Sequence, residues 1–231
     1  MAFLATGAWP VAQLLPTTAL AEARRLDLAA PAPPLHSAEA AAVATALPGR
    51  RHEFTVGRAC AHAALARLGR DGDVIAVGPR RQPLWPPGVV GSIAHGGDWA
   101  GAIVALATDA SGLGLDIEPL DPPLPPEVVA LVVSANERAR LPLDHSIAAH
   151  APKLVFMAKE CVYKALFPST GRELEFADVE VDLDLEGRRW DAVVAGRSGQ
   201  ALSGRFEVTD GHLFTAGGWG QGWRRSGPRC R

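Results

Sequence analysis

The sequence predicts an α+β fold, on three observations. Helix-forming segments precede strand-forming segments twice along the chain, glycine- and aspartate-rich turns separate the strands of each series, and a proline-rich stretch divides the two series. At 231 residues the chain suits one compact unit or two fused halves. The repeated order is consistent with a weak internal duplication.

In the first series, Val11–Leu15 and Ala19–Leu28 are assigned to a short strand and an ordered connector. The alanine-rich stretch from Ala38 to Leu68 is broken at Pro48-Gly49, which predicts two helices, the second over 51–68 and stopped by Gly69. Arg51 and Arg58 are seven residues apart, about two turns, on one face of that second helix. Val74–Val77 is a short strand and Gly78 to Pro83 a rigid loop carrying Arg80 and Arg81, where either side chain suits a phosphate. Strands are expected at 89–94, 100–108 and 113–118, with His95 at the turn after the first of them.

Pro119 to Pro126 contains five prolines and can be neither helix nor central strand, so it is the expected linker between an N-terminal half (1–118) and a C-terminal half (127–216). Short helices are expected at 127–133 and 134–141. The latter is opened by Ser134 with Glu137 three residues on, a capping-box pattern. Residues 147–167 form the main helix, and strands follow at 178–185, 190–194, 203–208 and 212–216. Residues 217–231, rich in Gly and Arg, are expected to be a flexible tail.

Composition narrows the function. With 23 basic and 25 acidic residues the net charge is -2, which gives no support for nucleic-acid binding. Cys60, Cys161 and Cys230 have no metal-type spacing, which points to a reducing cytoplasm. The N-terminal 20 residues lack a basic start and are interrupted by Pro10 and Pro16, against a signal peptide; no segment suits a membrane span.

The chemistry is concentrated in two stretches. In Gly114-Leu115-Asp116-Ile117-Glu118, strand alternation puts Asp116 and Glu118 on one face. In Phe156-Met157-Ala158-Lys159-Glu160-Cys161-Val162-Tyr163-Lys164, helical spacing puts Glu160 and Lys164 on one exposed stripe. Taken alone, that pair would be a surface contact worth about 0.3 to 0.5 kcal/mol. Three carboxylates and a lysine converging would suit a hard divalent cation holding a phosphorylated ligand, since such ions prefer oxygen donors. Cys161 has no histidine partner in the pattern and is read as a small helix residue.

Both stretches, at this separation, resemble the 4′-phosphopantetheinyl transferases of the long, pseudo-duplicated, actinobacterial-like type that activates siderophore, nonribosomal peptide and polyketide synthases. The similarity extends to Arg50-Arg51-His52-Glu53-Phe54-Thr55-Val56-Gly57-Arg58, to Pro83-Leu84-Trp85 through Ser92-Ile93-Ala94-His95, and to Ser134-Ala135-Asn136-Glu137. The resemblance implies two similar halves related by a pseudo-twofold axis, with coenzyme A and Mg²⁺ or Mn²⁺ in the cleft between them. It implies transfer of phosphopantetheine to a serine of an acyl or peptidyl carrier protein, with release of 3′,5′-ADP. Carried over by position, Asp116, Glu118 and Glu160 are the implied metal ligands and Lys164 the pyrophosphate contact. Arg51, Arg58, Arg80, Ser92 and His95 are the implied coenzyme A grip, and Glu137 helps to deprotonate the serine. A cytoplasmic monomer is expected. A coenzyme A pyrophosphate hydrolase would use the same ion and clamps with water as nucleophile; the other alternative, a non-catalytic coenzyme A- or carrier-binding protein, is opposed by the presence together of Asp116, Glu118, Glu160 and Lys164. Ala94 stands where the family commonly has a hydroxyl residue.

Overall fold

A computed structural model of the protein describes residues 14–16, 18–142, 144–196 and 201–220. The first part of the chain contains β1 (Leu20–Arg25), α1 (Ser37–Ala41), α2 (Pro48–Arg67), β2 (Ala76–Val77), β3 (Pro83–Leu84), β4 (Val89–Gly96), β5 (Trp99–Leu106) and β6 (Gly112–Pro119). The second contains α3 (Pro126–Val132), α4 (Ala135–Arg140), α5 (Ala151–Thr170), β7 (Val179–Asp184), β8 (Arg189–Val194), β9 (Ala201–Thr209) and β10 (His212–Trp219). The class is mixed α+β, as the pattern predicts.

Several boundaries move, each for a local reason. Pro48 does not break the long helix; it starts α2, where a residue without an N–H loses no hydrogen bond. The helix before it shrinks to the five residues of α1. The N-terminal strand is β1, inside the segment assigned as connector, while Leu14 and Leu15 are not in a strand and residues 11–13 lie outside the described residues. α5 passes Pro168 and ends at Gly171, whose φ of 61° and N–H to the Phe167 carbonyl at 2.8 Å close the last turn. β10 continues to Trp219, pairing with Gly112, so 217–219 are strand and not tail; the arginine-rich 221–231 lie outside the described residues.

Hydrogen bonding also divides the molecule differently from the order along the chain. β1, β5 and β4 form one antiparallel sheet, but β6 leaves it and pairs with β10 at the edge of a five-stranded sheet ordered β6-β10-β9-β8-β7. The strand carrying Asp116 and Glu118 therefore belongs to the sheet of the second half.

Alternation then stacks four layers. Val56, Cys60, Ala64 and Leu65 of α2 pack with Ala100, Ala102 and Val104 of β5. The other face of β5, Ile103 and Ala105, meets Leu113, Leu115, Ile117, Phe214 and Ala216 of the larger sheet. The far face of that sheet takes α5 through Leu154, Met157, Val162 and Leu166. Each fully buried side chain of this size contributes about 1.5 to 3 kcal/mol. Because Leu115 and Ile117 point to the smaller sheet, Asp116 and Glu118 must point toward α5. No helix among the described residues is long and apolar enough to cross a membrane.

Candidate active site

Close approach of α5 to β6 creates the site. A Cβ on Gly112 would overlap the Ala165 carbonyl, and one on Gly114 the Cys161 carbonyl. Only glycine at these alternate positions lets the helix backbone rest on the strand. Two residues further along the same strand face stands Asp116, and opposite it Lys164. Lys164 Nζ donates to Asp116 Oδ1 at 2.6 Å and to the Leu115 carbonyl at 3.1 Å. Glu160 and Lys164 are thus half-buried at the strand, not on an exposed stripe, and the lysine's ion-pair partner is across the seam.

The electrostatics are those of crowded anions. Glu118 is raised above the ordinary carboxylate pKa by burial first and then by Asp116 and Glu160, with Lys153 and Lys164 opposing. Glu160 is raised by burial, with Lys164 opposing and Asp116 adding. Burial alone would lower Lys164, but Asp116, Cys161 and Glu160 outweigh it and its pKa rises. Asp116 is 6 % exposed, and its Oδ2 is buried without a partner. A buried carboxylate oxygen with no donor costs about 1 to 3 kcal/mol or more, and a cation at that atom would remove the cost. Among the described residues, no group of three or more His, Cys, Asp or Glu side chains converges tightly enough to count as a preformed metal cluster.

β4 supplies the opposite wall. Ser92 Oγ accepts from the Leu115 N–H at 3.1 Å, joining β4 to β6. His95 lies within β4, paired with Ala100, and not in the turn after it. Its ring contacts Arg50 and lies 3.8 Å from Glu53. Burial lowers its pKa, Glu53 and Asp116 pull upward, and Arg50 and Lys164 push down. Arg80 lines a cavity of about 210 Å³ with Arg81, Ser92, Tyr163 and Lys164, and it is paired with Glu173. A second cavity, of about 230 Å³, borders Glu160 and Tyr163 with Leu174, Phe176 and Val179. Lys159 and Glu175 also line the second cavity, and Tyr163 lines both, so the Glu160–Lys164 turn stands between the two.

Three residues singled out in the sequence are elsewhere. Arg51 donates to the Ala44 and Ala46 carbonyls at 2.9 and 3.4 Å and holds the loop before α2. Arg58, 3 % exposed, stacks over the Phe54 ring at 4.8 Å; its Nε and Nη1 are unpartnered, and burial depresses it to about 10 against the pull of Glu39. Glu137 is occupied: Oε2 accepts from Ser134 N–H and Lys159 Nζ at 2.7 and 2.9 Å, and Oε1 from Val181 N–H at 2.7 Å. The capping box with Ser134 is fully formed. Cys161 is buried, with its pKa raised well above 9 by desolvation and its Sγ directed to the Thr215 carbonyl, as suits a packing residue.

The residue overlooked in the sequence is Arg50. It lies one position before Arg51, and the 100° per residue of a helix carries its guanidinium to His95 and Glu53. The charge pattern of α2 alone could not choose between the adjacent arginines.

Two family models match in tandem: the 4′-phosphopantetheinyl transferase N-terminal domain over residues 38–105, and the 4′-phosphopantetheinyl transferase superfamily over 112–206. The 4′-phosphopantetheinyl transferase Svp of Streptomyces mobaraensis is 42 % identical over 221 residues, covering 89 % of this chain and 87 % of Svp. The chain belongs to the 4′-phosphopantetheinyl transferase family. PptT of Mycobacterium tuberculosis, 34 % identical over 89 % of this chain and 96 % of its own, and Npt of Nocardia iowensis, 34 % identical over 78 % and 87 %, carry the same family name. The second transferase model begins at residue 112, where β6 begins, so the strand that hydrogen bonding gives to the larger sheet is also the start of that model.

Proposed function

We propose that this transferase moves the phosphopantetheine arm of coenzyme A to a serine hydroxyl of an acyl or peptidyl carrier domain, releasing 3′,5′-ADP. The carriers belong to siderophore, nonribosomal peptide or polyketide synthases, and the enzyme acts as a cytoplasmic monomer. The observation that carries the reading is the bare, buried Asp116 Oδ2 beside Glu118, Glu160 and Lys164. Three acids with raised proton affinity or an unused oxygen, of which only Asp116 is ion-paired to Lys164, fit a divalent cation. Asp116, Glu118 and Glu160 would hold Mg²⁺ or Mn²⁺, which when bound supplies Lewis-acid neutralisation of the pyrophosphate.

The chain's own groups do the rest. Lys164, kept protonated by its neighbours, presents positive charge where the leaving phosphate gains negative charge. Arg80, Arg81 and Ser92 line the basic cavity and take the nucleotide end of coenzyme A, with Arg50 and His95 at the neighbouring strand. The cavity of Leu174, Phe176 and Val179 takes the arm on the other side of Tyr163. Attack by a neutral serine requires a base; Glu160 borders that cavity, but as an ion ligand it is not free to take the proton, which would pass to water at the site. Glu137 has both oxygens engaged by donors and is better suited to hold α4 on α5. Similar 20-residue helices, α2 and α5, each covering one sheet, support the two-half arrangement with the ligand between.

Incubation of apo carrier domains with coenzyme A and Mg²⁺ should give holo protein by mass spectrometry. Absence of that mass gain with folded enzyme across several carrier types would remove the assignment. Release of 3′,5′-ADP without any carrier would instead favour a hydrolase.

A further inference from the structure

α5 carries a second lysine on the stripe that faces β6. Lys153, Glu160 and Lys164 are spaced by seven and four residues, which aligns them along one side of the helix. Lys164 grips β6 on its N-terminal side, at Leu115 and Asp116. Lys153 Nζ donates to the carbonyls of Pro119, Leu120 and Pro122 at 2.7, 3.0 and 2.5 Å, just past Glu118. Helix and strand run in opposite directions, so the two lysines hold the strand on both sides of the Asp116–Glu118 pair, with Glu160 between them.

Lys153 is 5 % exposed, and an ammonium has three donors; three carbonyls use them all. Burial lowers its pKa and the Glu118 and Asp121 carboxylates oppose that; among the described residues it has no ion pair within 4 Å, so the three carbonyls are its direct partners. The segment they belong to depends on them in turn. β6 ends at Pro119, and Pro122, Pro123, Pro125 and Pro126 beyond it have no N–H, so the stretch past Leu120 is unsuited to continue the strand ladder. Leu120 N–H bonds the Gly211 carbonyl at 2.8 Å, and beyond that point the chain is held by the Lys153 bonds to the Leu120 and Pro122 carbonyls and by Asp121, 3.6 Å from His150 Nε2.

We infer that Lys153 is a positioning residue: by anchoring the chain where β6 ends, it sets the place of the Glu118 carboxylate relative to Glu160. The inference rests on the reading of Asp116, Glu118 and Glu160 as a divalent-ion site. Charge and position make opposite predictions for its removal. By Coulomb's law alone, deleting a cation next to the site tightens binding of a divalent ion. Loss of the anchor weakens it.

The test is Mn²⁺ affinity of the full chain with coenzyme A present, read from the electron paramagnetic resonance signal of free Mn²⁺, together with kcat, KM for coenzyme A and thermal melting. Lys153→Met should fold, bind Mn²⁺ at least tenfold more weakly and lose at least tenfold in kcat, while KM for coenzyme A stays within threefold. Unchanged or tighter Mn²⁺ binding with only a lower melting temperature overturns the proposal. If Lys153→Met does not fold, Lys153→Gln, which keeps two donors, is read by the same criteria. Asp116→Asn runs alongside. If it binds Mn²⁺ like the wild type, the metal reading itself fails; if it loses Mn²⁺ while the Lys153 variant does not, only the positioning role fails.

Discussion

Two lysine–carboxylate pairs lie five residues apart on α5, and they differ in how completely they are used. Lys159 and Glu137 are 2.9 Å apart and almost wholly buried. Lys159 Nζ also donates to the Val132 and Phe176 carbonyls at 2.8 and 3.0 Å, and Glu137 accepts two backbone N–H bonds besides. Lys164 and Asp116 are closer, at 2.6 Å, yet Lys164 is partly exposed and Asp116 keeps one oxygen without a partner. The saturated pair holds α3, α4, α5 and β7 together. The unsaturated pair has bonding capacity left for a ligand, and its unused oxygen is where to look for chemistry.

The largest effect is expected from breaking the saturated pair. Lys159→Met leaves Glu137 charged, buried and short of a donor, at a cost of about 3 to 5 kcal/mol in urea unfolding. Adding Glu137→Gln should recover part of it. A loss under 1 kcal/mol would put the two pairs in one class. The unsaturated pair should respond in activity instead. Asp116→Asn and Glu160→Gln should lower carrier modification about 10³-fold, or about 4 kcal/mol of barrier, with melting temperature little changed. Near-normal rates in either variant would remove the functional half of the contrast.

A smaller effect tests the anchoring side. Ser134→Ala removes the hydroxyl that accepts from Glu137 N–H at 3.1 Å and donates to Glu180 at 2.9 Å, costing about 1 kcal/mol while transfer at 20 °C continues. The smallest effect concerns pH. Glu118 and Glu160 have raised folded-state pKa values, so just above the ordinary carboxylate value the native state binds more protons than the unfolded chain. Their contribution to stability without divalent ions therefore decreases as pH rises through that window. Melting with a chelator present should show the slope, and Glu160→Gln should flatten it; an identical slope in that variant would place Glu160 outside the crowded cluster.

The legible and illegible parts separate by range of interaction. The Ser134–Glu137 capping box was readable because its bonds span three residues. The shared face of Asp116 and Glu118 was readable because strand alternation is a backbone property. Arg50 was not, because neighbouring arginines on one helix differ only in what another strand places opposite them. Nor was the second use of Glu137: Lys159 lies 22 residues away, and no local pattern links the two.

By itself the sequence determined the α+β class, the paired carboxylates, the Glu160–Lys164 spacing and the resemblance that placed them in one family. These rest on periodicity and on motifs contiguous along the chain. Only the tertiary structure decided that β6 crosses to the larger sheet, that Lys164 turns to Asp116, that Arg51 serves a loop, and that Lys153 anchors the proline segment. The physical reason is the same each time. A buried polar atom takes its partner from whatever packing brings within about 3 Å, and packing joins residues that the sequence keeps tens of positions apart.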